Sequence, residues 1–247
     1  MELAATLALV AGGAIAGFVA GLSGFAFGMV AMSVWIWALD PALVAPMVVL
    51  GSLTAQLLAF PSVSGAFSVK RVLPFIIGGL IGVPVGGMLL GIIDVTAFRT
   101  FVGVVLVAYC TAMLFLRDPK PVRVGGALAD GAVGVVGGIM GGLAGLPGPA
   151  PTLWCSMRGW DKHTQRGVFQ AFNLAMHVLT VSTYLVAGRL TLGIAKSYLI
   201  VVPGIVVSTW LGTRVYARVS HTAFRRVMLV LLALSGAAML LSAAHHG

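Results

Sequence analysis

The stretch GLAGLPGPAP, residues 142–151, decides the fold. Pro147, Pro149 and Pro151 interrupt an apolar run that extends over residues 127–157. A proline in a helix interior costs about 3 kcal/mol, so this run cannot be one continuous helix. A second run, residues 4–39, is interrupted by GLSGFAFG at 21–28, where three glycines weaken the helix. The other apolar runs, 43–61, 72–93, 97–116, 167–187, 193–213 and 222–243, approach the roughly 20 residues that carry a helix across a ~30 Å hydrocarbon layer. They read as ordinary spanning helices, with Pro84 and Pro203 as expected kinks.

The composition fits a chain dissolved in lipid. Of 247 residues, 60% are hydrophobic and 9% charged, against roughly 25% charged in a soluble domain. Mean hydropathy is +1.08. The net charge of +9 sits in short gaps between apolar runs, which marks membrane topology rather than a basic face for nucleic acid. Cys110 and Cys155 lie in or beside apolar segments without metal spacing and read as buried hydrophobes. Glu2 and the lack of an early Lys or Arg remove the basic region of a signal peptide, so the N-terminal segment is expected to belong to the fold.

The two interrupted runs are related by an internal repeat. At an offset of 121, Gly17, Gly21, Leu22, Gly24 and Asp40 fall on Gly138, Gly142, Leu143, Gly145 and Asp161. At an offset of 126, Lys70, Gly78 and Gly86 fall on Lys196, Gly204 and Gly212, and TAFR recurs at 96–99 and 222–225. The expected repeats are 1–118 and 126–247, joined by a linker at 119–125.

Charge then chooses between two threadings. If each interrupted run crosses the membrane, Lys and Arg divide 7 against 8. If each is a hairpin returning to its starting side, Arg99, Arg189 and Lys196 lie on one side and the other 12 on the opposite side. The second division obeys the positive-inside rule. The expectation is an all-α integral membrane protein of two inverted repeats, each a broken helix or helical hairpin plus three transmembrane helices. Both termini would lie outside the inner membrane and the linker in the cytoplasm. Interrupted helices in inverted repeats are a transporter plan.

Non-helical backbone at membrane depth must be buried in protein or line a wet cavity, and amides at a half-helix start attract anions. Ser23, Gly24, Gly145 and Gly148 at the breaks are therefore candidate substrate ligands. Polar residues inside apolar runs add Ser52 and Gln56 in the first half and Gln170, Asn173 and His177 in the second. At the 121 offset Ser52 matches Asn173 and Gln56 matches His177, so each half offers two polar residues four apart on one helix face. The competing readings are small-residue packing for the glycines and interhelical hydrogen bonds for the polar groups. Small-residue packing is the expectation for Gly78, Gly82, Gly86, Gly204, Ser208 and Gly212.

No acidic residue lies mid-span; Asp130 is nearest. Proton coupling, if present, falls to His177, whose imidazole titrates near neutral pH. Arg71 and Arg166 read as topology anchors, and Trp35, Trp37, Trp154 and Trp160 as an interfacial belt. His245 and His246 suggest no metal site, no cofactor is implied, and no HExxH, nucleophile elbow or paired carboxylates point to an enzyme.

GFVAGLSGFAFG at 17–28 and GIMGGLAGLPGPAP at 138–151, with the chain length and the duplicated half, resemble the TauE/SafE family. The second half keeps the family's glycine run followed by proline. The first departs from it, with Phe25 and Phe27 in the break and no proline before Pro41. The resemblance implies export of small sulfur-containing anions such as sulfite, sulfoacetate or another organosulfonate. The residues alone imply an anionic cargo between the breaks, and leave open a channel, a carrier of carboxylates or phosphonates, and a homodimer.

Overall fold

In the computed structural model the described residues are 3–35, 41–66, 68–89, 95–115, 121–122, 124–144 and 146–246. They form helices α1 (Leu3–Ser23), α2 (Phe27–Trp35), α3 (Pro41–Ala59), α4 (Val69–Leu89), α5 (Val95–Phe115), α6 (Gly126–Ala144), α7 (Pro149–Met157), α8 (Lys162–Val186), α9 (Leu192–Arg218) and α10 (His221–His246). No strand occurs among them. Among the described residues, Ala5–Ser23, Leu43–Ser62, Val69–Gly86 and Leu192–Arg218 are long and apolar enough to cross a membrane, and Gly126–Gly142 is a shorter apolar helix. Helices α4 and α9 continue through Pro84 and Pro203.

Both interrupted runs are hairpins. α1 ends at Gly24, whose φ of 86° lies in the left-handed region that glycine enters without steric cost. The Gly24 amide donates to the Ala20 carbonyl at 2.7 Å, closing the last turn. α2 then runs back along α1. The Trp35 indole N–H donates to the Leu9 carbonyl at 3.1 Å, and a β-carbon on Gly12 would lie 3.1 Å from Val34. In the second run, α7 begins at Pro149 and returns along α6. A β-carbon on Gly137 would meet Pro151 at 2.9 Å, and the Trp154 indole donates to Asp130 at 2.7 Å. The return is complete, because the Val122 amide donates to the Met157 carbonyl at 2.8 Å.

The chain divides into two compact units, Met1–Phe67 with Phe169–Val219 and Ser68–Val168 with Ser220–Gly247. In the first, α1 packs on α9, α3 and α2, around a core that includes Trp35, Met47, Val201 and Ile205. In the second, α4 packs on α6, and α10 on α5 and α7.

Each unit contains a close helix pair, built from small residues, that the repeat relates to the other. A β-carbon on Gly21 would lie 3.1 Å from the Gly212 Cα, and one on Gly17 would lie 3.0 Å from the Ile205 carbonyl oxygen, with the Ser208 hydroxyl also against it. In the other unit, a β-carbon on Gly138 would lie 2.9 Å from the Gly82 Cα, and one on Gly86 would lie 3.2 Å from the Gly142 Cα. Residue numbers rise together along both pairs, so the paired helices are parallel. Gly17–Ser208 corresponds to Gly138–Gly82 under the repeat, and Gly21–Gly212 to Gly142–Gly86. Close packing thus explains Gly78, Gly82, Gly86, Ser208 and Gly212. It does not explain Gly204, whose nearest neighbour would be the Ala14 side chain at 3.8 Å.

Candidate functional site

The first hairpin's tip is held by its own serine. Ser23 is fully buried, and its hydroxyl oxygen accepts from the Phe25 and Ala26 amides at 3.4 and 3.3 Å. Two amides expected to be open to an anion are thereby engaged. The Phe27, Gly28 and Met29 amides that follow have no intrahelical carbonyl to face, whereas the Val30 amide donates to the Ala26 carbonyl at 3.2 Å. Phe25 packs edge-on against Phe169 of α8, with centroids 6.0 Å apart, and Phe27 against Trp35 at 6.1 Å. These aromatics fix the break without a proline.

One glutamine meets this tip and a second meets the first. Gln56 on α3 donates through Nε2 to the Gly24 carbonyl at 2.9 Å. Gln170 on α8 donates through Nε2 to the backbone carbonyl of Gln56 at 3.3 Å. Ser23, Gly24, Gln56 and Gln170 therefore form one connected group, and their side chains and that of Ser52 are buried. Gln170, Asn173 and His177 recur at spacings of three and four along α8 and share a face. All three are buried, Asn173 to 1% exposure.

Asn173 stands apart from the others. Both of its amide atoms are buried without a hydrogen-bond partner, as is Gln56 Oε1. Each such atom costs about 1–3 kcal/mol if nothing meets it. Native structures keep few of them, and those that persist call for a functional reason.

The second hairpin's tip is chemically different. Pro149 and Pro151 carry no amide N–H, and the Thr152 amide is bonded to the Gly148 carbonyl at 3.0 Å. The Leu146 amide donates to the Met140 carbonyl at 3.4 Å. Gly148 and Ala150 are left as amides without an intrahelical carbonyl to face. Gly148 is buried; Gly145 lies outside the described residues.

Several sequence expectations change. Trp35, expected in an interfacial belt, is wholly buried in the first hairpin, while Trp37 lies outside the described residues. Trp154 and Trp160 flank the Arg158 guanidinium at 5.7 and 5.4 Å to their centroids. Arg71, exposed at the start of α4, stacks on Trp160 at 5.5 Å. Arg166, expected at the headgroups as a topology anchor, is fully buried; it precedes Gln170 by one turn in the same helix. Asp130, read only as the acid nearest mid-span, pairs with Arg158 at 3.7 Å while accepting from Trp154. A search for an i, i+28 acid–base pair flanked by tryptophans would have been needed to find this from sequence.

No curated protein and no solved structure matches the chain in the comparisons made. The family model described as "Sulfite exporter TauE/SafE" matches residues 9–239. That match spans both hairpins and nearly every described helix, so the chain is a multi-pass membrane protein of the TauE/SafE sulfite exporter family.

Proposed function

We propose that this chain is a secondary exporter of a small sulfur oxyanion, sulfite or an organosulfonate, across the inner membrane. The single observation that carries the binding reading is Asn173: a carboxamide buried on both polar atoms, without a partner, one turn from Gln170, which joins α8 to α3 at Gln56, the residue that bonds the first hairpin's tip. Its N–H donors suit an oxyanion, and no fixed negative charge belongs to the connected group Ser23, Gly24, Gln56 and Gln170.

Ser52 and His177 belong to the proposed site through their register with Gln56 and Asn173. The repeat gives Gly145, the counterpart of Gly24, the equivalent role in the second half, with Gly148 in the same break. His177 is the proposed proton carrier. The return of both hairpins, together with the 12 to 3 division of Lys and Arg, supports the inverted threading, with termini outside and the linker cytoplasmic.

Flux of radiolabelled sulfite into proteoliposomes tests this reading. Saturable flux is expected, reduced at least tenfold in Asn173→Ala while the variant remains monodisperse. Conductance that rises linearly with concentration would make the protein a channel, and unaltered flux in the variant would remove Asn173 from the site. Same-side labelling of cysteines placed at Lys120 and Ala243 would overturn the inverted threading.

A further inference from the structure

The unmet hydrogen-bonding groups specify more than a negative charge. Gln56 cannot turn its amide around: its Nε2 donates to the Gly24 carbonyl at 2.9 Å, and a flipped amide would set two acceptor oxygens against each other. The atom left buried without a partner is therefore an acceptor, Oε1. Asn173 leaves one acceptor and one donor group unmet, whichever way its amide is turned. Two carbonyl-type oxygens and one amide nitrogen are thus left buried and unmet in the first unit. A bare oxyanion satisfies the nitrogen and repels the oxygens.

We infer that the anion taken by the first unit's site carries a hydrogen-bond donor of its own: a hydroxyl, an ammonium or a protonated oxygen beside the acid group. This rests on the transport reading above and narrows its substrate class to donor-bearing anions such as hydrogen sulfite, hydroxyalkanesulfonates and aminoalkanesulfonates. A site whose buried polar groups are built to bond a ligand hydroxyl discriminates strongly against the analogue lacking it, because those groups are then left unpaired.

The test compares 2-hydroxyethanesulfonate with ethanesulfonate, which differ by one hydroxyl. Apparent affinity is read from the ligand-dependent rise of the thermal midpoint of purified protein. N-methylglucamine replaces sodium, so that no small cation can serve the two oxygens. The expected result is at least tenfold tighter binding of the hydroxylated anion, with the preference falling below about threefold in Asn173→Leu. Equal binding of the two anions by the wild type, or a preference that survives Asn173→Leu, would overturn the inference while leaving anion transport standing. If neither anion nor sulfite binds, the transport reading itself fails. Should Asn173→Leu not survive extraction, the wild-type ratio and the same ratio in Asn173→Ser decide between these outcomes.

Discussion

The two hairpins reach one shape by different chemistry. In the first, the returning arm is latched by a neutral bond, Trp35 to the Leu9 carbonyl. In the second, it is latched by charge: Asp130 accepts from Trp154 and pairs with Arg158, whose guanidinium also donates to the Val124 carbonyl at 3.1 Å. Leu9 and Asp130 are the same position in the repeat, 121 residues apart. The tips differ in parallel, aromatic packing by Phe25 and Phe27 answering to the prolines 147, 149 and 151. A duplicated element thus kept its path while the interactions that hold it diverged. What did not diverge is the small-residue seam, the contact of Gly212 with Gly21 and of its counterpart Gly86 with Gly142, where a β-carbon on Gly212 or Gly86 would meet backbone.

That seam gives the largest expected effect. Gly86 and Gly212 are equivalent, and a β-carbon on either would meet backbone, at 2.6 Å from the Ile139 carbonyl oxygen and 2.9 Å from the Leu22 amide nitrogen respectively. Backbone cannot swing aside as a flexible side chain can. Gly86→Leu and Gly212→Leu should each cost about 3 kcal/mol or abolish the folded protein, by overpacking. Thermal unfolding in detergent measures this. A large cost at one position and none at the other would end the equivalence of the two seams.

The latches come next and should respond differently. Asp130→Ala removes an acceptor from Trp154 and leaves Arg158 without its carboxylate, at a cost of about 2 kcal/mol, since an uncompensated, mostly buried charge is expensive. Hydrogen exchange should rise along α7. Trp35→Phe keeps the ring and loses one N–H bond, for about 1 kcal/mol, with faster exchange confined to α2. Equal exchange changes in both hairpins after Asp130→Ala would show that the ionic latch is not local to α6 and α7.

How far the sequence revealed these features depended on whether a feature has a direction. The second break was legible because three prolines within five residues forbid a helix whatever surrounds them, and the hairpin form because only it gathers 12 of the Lys and Arg on one side. The seam was legible because small residues four apart expose backbone on one face. Trp35 and Arg166 were misread for a common reason. Position along the chain predicts depth in a membrane, but the azimuth of a side chain on its helix depends on which neighbour covers it. A tryptophan ending an apolar run looks the same in a headgroup layer as folded against Leu9. Gly204 failed in the opposite sense: it has the spacing of a seam residue, yet a β-carbon there would make only ordinary contact, with the Ala14 side chain at 3.8 Å. The orphan atoms of Asn173 and Gln56 could not be read at all, since an unmet bond exists only once every neighbour is placed.

The smallest expected effect asks whether the repeat extends to helix capping. Asp161 caps α8, accepting at Oδ1 from the His163 and Thr164 amides at 2.9 and 3.1 Å and at Oδ2 from the Thr164 hydroxyl at 2.5 Å. Partial burial pushes its carboxyl upward, but these bonds prevail and hold it below the ordinary 3.8. Because the folded value is the lower one, the cap's contribution is present above the unfolded value and lost as pH falls through the folded value. Asp161→Ala should cost about 0.5–1 kcal/mol near neutral pH, the usual range for a lost N-cap at an exposed position. The difference from wild type should shrink on acidification below the ordinary carboxylate range. Asp40, its counterpart in the repeat, lies outside the described residues. It directly precedes Pro41, the first residue of α3, and an acid before proline at the first helical position is the sequence form of a cap. If duplication preserved the cap, Asp40→Ala should match Asp161→Ala in size and in its loss at low pH. A neutral Asp40→Ala would mean that the start of α3 diverged as the hairpin latches did, leaving the seam as the conserved core of the repeat.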